Sequence, residues 1–201
     1  SNVTGATVDT TSSKVGYLGG LTANNSGSNT IVAGAGVDGI IDINDVTSGV
    51  FTAEVGGTVT YDGSGTAAND LSATVTGGTT VSVGATNAFV TSTVTGDANT
   101  TAITVVSQND GTITATGGAN TATMTLTNAE TIVASGGAGL TTATAQARAA
   151  STTASSITVT GDALATFTVD GTASTSDVAS VTSSVAALTA NIGVTTALET
   201  V

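Results

Sequence analysis

Gly77–Thr95 reads GGTTVSVGATNAFVTSTVT, and the next stretch, Gly96–Thr116, reads GDANTTAITVVSQNDGTITAT. Each opens on a Gly-containing pair and closes on a β-branched triplet, TVT or TAT. Inside them the side chains alternate: in Thr79–Val83 (TTVSV), Val81 and Val83 share one face while Thr80 and Ser82 share the other. That period of two marks a half-buried strand. The glycines supply the backbone freedom that tight turns need.

The pattern extends both ways. Gly56–Thr76 precedes it and Gly117–Ser135 follows, so successive units are 21, 19, 21 and 19 residues long. A longer fifth unit, Gly136–Thr160, closes on SITVT, and a further GD pair opens the next at Gly161. Ala122, Met124 and Leu126 alternate with Thr123 and Thr125, and Ile157 and Val159 with their neighbouring threonines. Two strands and two turns need about 20 residues. Each unit is therefore either one hairpin of a meander or one coil of a solenoid, and alternation alone is the same in both. The expected fold is all-β, with repetitive short strands and Gly turns, β-solenoid-like or a β-sandwich.

The flanks read differently. Residues 1–28 form a polar N-terminal arm or strand, 29–175 the repetitive β body, and 176–201 a C-terminal cap or strand. Ala-rich Thr141–Thr153 (TTATAQARAASTT) has the composition of a short helix, or of a loop on the longer unit. Val178, Val181, Val185, Leu188 and Ile192 fall at steps of three and four, which is helical spacing near the C-terminus.

Composition narrows the chemistry. Of 201 residues, 46 are Thr, 20 Ser and 26 Gly, while Pro, Cys, His and Trp are absent. Without His there is no imidazole base, and without Cys no thiol nucleophile, disulfide or thiolate metal site. Fourteen acidic residues against two cations give a net charge of −12. Lys14 and Arg148 alone make no basic surface for nucleic acid. No apolar run approaches the ~20 residues of a membrane-spanning helix. Aromatic residues number only five (Tyr17, Phe51, Tyr61, Phe89 and Phe167), too few for sugar-binding platforms in a glycosidase cleft. A core of Val and Ala has little volume per side chain, so the interior must be thin. The three Asn-x-Ser/Thr triplets, at Asn2, Asn24 and Asn99, are no more than chance supplies in so Ser/Thr-rich a chain.

The densest acidic stretch is Asp38–Asp45 (DGIIDIND), preceded by Gly34-Ala35-Gly36-Val37. Asp38, Asp42, Asn44 and Asp45 place hard oxygen ligands on a short Gly-containing segment, and Ca²⁺ takes six to eight such oxygens. An EF-type loop is incomplete here, because its first and third positions would be Gly34 and Gly36. The bland alternative is a turn with solvated aspartates. Asp62, Asp70, Asp97, Asp110, Asp162 and Asp170 stand singly beside Gly or Asn, where Asp is ordinary turn chemistry.

Three segments carry a family resemblance: Ser156–Thr172 (SITVTGDALATFTVDGT), Thr125–Gly136 (TLTNAETIVASG) and Asn29–Ile40 (NTIVAGAGVDGI). They resemble bacterial surface-layer and RTX-type exported proteins, with GAGVD standing where those have GGxGxD. The resemblance covers about residues 29–172. It implies a β-stranded extracellular protein of the cell surface that assembles into lattices or acts as an adhesin, often with Ca²⁺.

The expected function is accordingly structural: a self-assembling surface-layer or sheath component without catalysis. Its partners are copies of itself and the cell-envelope glycan, with no nucleic acid and no membrane span. One alternative is a filament subunit that donates a terminal strand. Val3 and Val8 within Ser1–Ser13 would be its assembly residues. Another is an adhesin or a carbohydrate- or ice-binding module, which needs threonines aligned on one outward face in successive coils.

Overall fold

The computed structural model describes residues 7–9, 18–23, 27–33, 37–53, 58–63, 72–84, 88–147, 155–170, 178–184 and 189–192. Every strand pairing within them is parallel. A meander of hairpins would pair antiparallel. The repeat is therefore one coil of a β-solenoid, and the sandwich alternative falls with the hairpin.

Each coil has two legs. In chain order the strands are β1 (Thr7–Asp9), β2 (Leu18–Ala23), β3 (Gly27–Ala33), β4 (Val37–Ala53), β5 (Thr58–Gly63) and β6 (Ser72–Thr76). There follow β7 (Thr80–Val83), β8 (Phe89–Thr95), β9 (Ala102–Thr116), β10 (Thr123–Ala129) and β11 (Thr131–Gly136). The last are β12 (Thr142–Ala147), β13 (Ser156–Gly161), β14 (Thr166–Asp170), β15 (Val178–Ser183) and β16 (Thr189–Ile192). First legs stack as β5-β7-β9-β10-β12-β14-β16, and return legs as β6-β8-β9-β11-β13-β15. The long strands β4 and β9 supply both legs of their own coils, which joins the two stacks.

The Gly pairs that open the sequence units sit one above another. The Gly77 N–H donates to the Thr95 carbonyl, Gly96 to Thr116, and Gly117 to Ser135. Gly136 lies level with Gly161. Coils pack so closely here that a Cβ on Gly118 would overlap the carbonyl oxygen of Asp97. Gly78, at φ +98°, has a backbone that L side chains rarely adopt, and a Cβ there would meet Val59 Cγ2 at 2.6 Å.

Inward positions follow the alternation read from the sequence. Val59, Val81, Ile103, Met124, Ala143 and Phe167 form one buried column on the first legs. Ala73, Ser92, Ile113, Ile132, Ile157 and Ala179 form its counterpart on the return legs. Large and small residues compensate in the last two of these coils: Ala143 is followed by Ile157, and Phe167 by Ala179. That helps keep the interior filled there. Each fully buried Val or Ile contributes about 1.5–3 kcal/mol. Toward the N-terminal side the interior holds aromatic rings instead. Tyr61 lies 5.9 Å from Phe51 and 5.7 Å from Phe89, centroid to centroid, and all three are buried.

Both helical expectations are corrected, because among the described residues there is no helix. Thr142–Ala147 is β12, in register with β10, with Ala143, Ala145 and Ala147 all buried. Alanine favours helix in isolation, but here it fills the narrow core beneath Met124 and Leu126. The C-terminal spacing resolves into β15 and β16, where Ala179 and Val181 continue the columns of Ile157 and Val159. Residues 148–154, Val185 and Leu188 lie outside the described residues.

Candidate functional site

What the solenoid presents to solvent is set by the residues between the core positions. On the return legs these form three columns. Ser72, Thr91, Thr112, Thr131, Ser156 and Val178 are level with one another. So are Thr74, Thr93, Thr114, Val133, Thr158 and Ser180, and likewise Thr76, Thr95, Thr116, Ser135, Thr160 and Thr182. Three columns on six strands make eighteen positions, and only Val133 and Val178 are not Ser or Thr. No register shift interrupts these columns, the one irregularity of β8 on β9 falling before Thr91.

The first-leg face is narrower. Thr58, Thr80, Ala102, Thr123, Thr142, Thr166 and Thr189 form one column. Thr60, Ser82, Thr104, Thr125, Thr144, Thr168 and Asn191 form the second. The next position along is mixed, with Val106, Thr127, Gln146 and Asp170 level with one another.

Threonines at the turns do different work. Thr100 is fully buried; its Oγ1 donates to the Gly78 carbonyl at 2.6 Å and accepts from the Asp97 N–H at 2.9 Å. One coil on, Thr121 Oγ1 donates to the Thr100 carbonyl at 2.9 Å and accepts from the Gly118 N–H at 2.9 Å. The buried ladder then turns apolar, with Leu140 and Leu164 as the last residues of the equivalent turns. At the opposite corner Asn128, at φ 63°, donates through Nδ2 to the Ser107 carbonyl at 2.7 Å.

Acidic groups stay off the return-leg columns, and several sit at corners. Asp97 Oδ1 accepts from the N–H groups of Asn99 and Thr100 at 2.7 and 3.1 Å, an Asx-type turn. Asp162 is exposed in the corresponding turn, and Glu130 occupies the corner between β10 and β11. Among the described residues no three acidic side chains gather into a metal-holding group.

The sequence-derived candidates fall elsewhere. Asp38, Asp42, Asn44 and Asp45 all lie on β4, in extended strand rather than on a free turn. Asp42 is level with Thr22 and Thr60, while Asn44 and Asp45 fall where the register slips between Ile43 and Val46, at the corner joining the two legs. Val8 lies on β1, level with Ile31 of β3. Val3 lies outside the described residues, as do Gly34–Gly36, Asp70 and Lys14.

Triplets such as TVT are visible in the sequence, but the columns they build are not. Alignment between coils depends on turn length, and coils here run 22 residues from Thr58 to Thr80 and 19 from Thr123 to Thr142. The signal that could have found the columns was the stacked Gly pairs, which fix the phase of each unit. Among the described residues, no helix is long and apolar enough to cross a membrane. Comparison with protein-family models, with curated proteins and with solved structures finds no match for this chain.

Proposed function

We propose that the chain is a structural, self-assembling extracellular protein, a component of a surface-layer lattice or sheath that works without catalysis. One observation carries the reading: a repeating parallel ladder whose return-leg outward columns hold Ser and Thr in register and no charged residue. Strand edges in soluble monomers are normally guarded by Lys or Pro. This chain has no Pro, and its two cations, Lys14 and Arg148, lie outside the described strands. Such edges favour contact with further copies of the same chain. The partners are then the chain itself and the cell-envelope glycan. The near-absence of Lys and Cys agrees with an exported, surface-exposed setting.

Calcium enters the same proposal through Asp38, Asp42, Asn44 and Asp45. Their oxygens suit a hard cation, and a chain of net charge −12 gains from one that screens its acidic corners. The test is particle size by analytical ultracentrifugation and negative-stain microscopy, with Ca²⁺ and with EGTA. The expected result is sheets or extended assemblies that form with Ca²⁺ and shrink with EGTA. A monomer indifferent to Ca²⁺ and to its own concentration would overturn the reading. Helical filaments abolished by deleting residues 1–13 would replace the lattice with the strand-donating version.

A further inference from the structure

We infer that the return-leg face is an ice-binding plane, its partner being crystalline water rather than a macromolecule. The face is a two-dimensional array, not a single row. Hydroxyls repeat about 4.8 Å apart from coil to coil and about 6.6 Å apart along each strand, at ordinary sheet spacings. The coil-to-coil repeat lies close to the shorter oxygen spacing on the prism surfaces of hexagonal ice, and the along-strand repeat falls somewhat short of the longer one. Six unslipped strands hold that array in one register from Ser72 to Thr182.

A second observation separates these hydroxyls from those at the turns. Thr100, Thr101, Thr121 and Thr141 donate their Oγ1 hydrogens to backbone carbonyls of the preceding coil. Among the described residues, the Ser and Thr hydroxyls of the three return-leg columns make no hydrogen bond to protein. They are left for water. Threonine's branched Cβ restricts χ1, so the hydroxyl and methyl of each column threonine have few positions open to them before water arrives. Ordered water on such a surface costs little further immobilisation.

Charge and area choose between occupants. No column position is charged, so no ion holds a hydration shell that conflicts with a neutral lattice. The array spans roughly 24 by 13 Å, about 300 Å². That is well under the ~800 Å² per partner of a stable protein interface. A second copy seated on this patch alone would be held weakly. The first-leg face is the built-in control, because it is only two columns wide and Gln146 and Asp170 stand beside those columns.

The test is nanolitre osmometry of the full chain, together with partition of fluorescently labelled protein into growing ice. The wild type should shape ice crystals, open a hysteresis gap and enter the ice. Thr158→Lys, on the exposed middle column, should lose both effects, whereas Thr125→Lys on the opposite face should keep them. Circular dichroism confirms that each variant is folded, and Thr93→Lys provides a second return-leg variant should Thr158→Lys misfold. A wild type that leaves ice unshaped overturns the proposal, as do equal effects of Thr158→Lys and Thr125→Lys. Retention on crystalline cellulose without ice affinity would assign the face to carbohydrate. A dimer dissolved by Thr158→Lys without ice affinity would assign it to a second copy. A monomer that binds ice would remove the lattice reading and leave this one standing, and an assembly without ice affinity would do the reverse.

Discussion

Thr121→Val exchanges a hydroxyl for a methyl of nearly the same shape at a fully buried site. The core therefore keeps its volume, and the effect isolates the hydrogen bonds between coils. Two bonds are lost, from Thr121 Oγ1 to the Thr100 carbonyl and from the Gly118 N–H to Thr121 Oγ1. Leaving a buried partner unsatisfied costs about 1–3 kcal/mol. The Thr100 carbonyl, interior to the turn stack, takes the larger share. Gly118 is only half-buried, so its N–H recovers part of its loss by hydration. Relief from burying a hydroxyl offsets some of the rest, giving a net destabilisation of about 2 kcal/mol. Thr123→Val, two residues on and exposed, is the matched control, expected within about 0.5 kcal/mol of wild type. Urea melts followed by far-ultraviolet circular dichroism read the difference. Midpoints are compared first, because stacked coils need not unfold as one unit. If Thr121→Val melts with Thr123→Val, the turn threonines do not tie one coil to the next and the reasoning fails.

Three further substitutions probe the core and the turns. Ser92 is fully buried, between Ala73 and Ile113 in its column, and its Oγ has no hydrogen-bond partner. Ser92→Ala should be neutral or raise stability by about 1 kcal/mol, seen as a higher urea midpoint. Gly118→Ala drives a Cβ into the Asp97 carbonyl and should cost at least the ~1–3 kcal/mol of ordinary overpacking, with a lower thermal midpoint. Phe89→Ala removes one ring of the aromatic stack beside Tyr61 and should cost about 3–5 kcal/mol. Its loss should also show as a change in near-ultraviolet circular dichroism from Tyr61.

The alternation within Thr79–Val83 was enough to place Val81 and Val83 in the core, and the same holds for Met124, Leu126, Ile157 and Val159. The Gly pairs marked positions that the structure stacks, at Gly77, Gly96 and Gly117. What stayed hidden depends on contacts between units. Hairpin and coil share a period of two, and only the pairing of Thr131 with Thr112 and Ser156 tells them apart. Ala143 and Ala145 read as helix because local propensity favours it, yet they occupy buried strand positions in register with Met124 and Leu126. The return-leg columns were invisible for the same reason as the coil itself. Thr93, Thr114 and Thr158 are 21 and 44 residues apart in sequence, and only the turns between them bring them level.

The central claim is that each unit is one coil, advancing a single strand spacing along the stack. The chain has no cysteine, so Thr74→Cys and Thr158→Cys can carry a clean pair of nitroxide labels. Four parallel steps separate these positions, through Thr93, Thr114 and Val133. Pulsed dipolar spectroscopy should then report a backbone separation of about 19 Å. A meander advancing two strands per unit would place the labels about 38 Å apart, and that distance would contradict the solenoid and everything built on its columns.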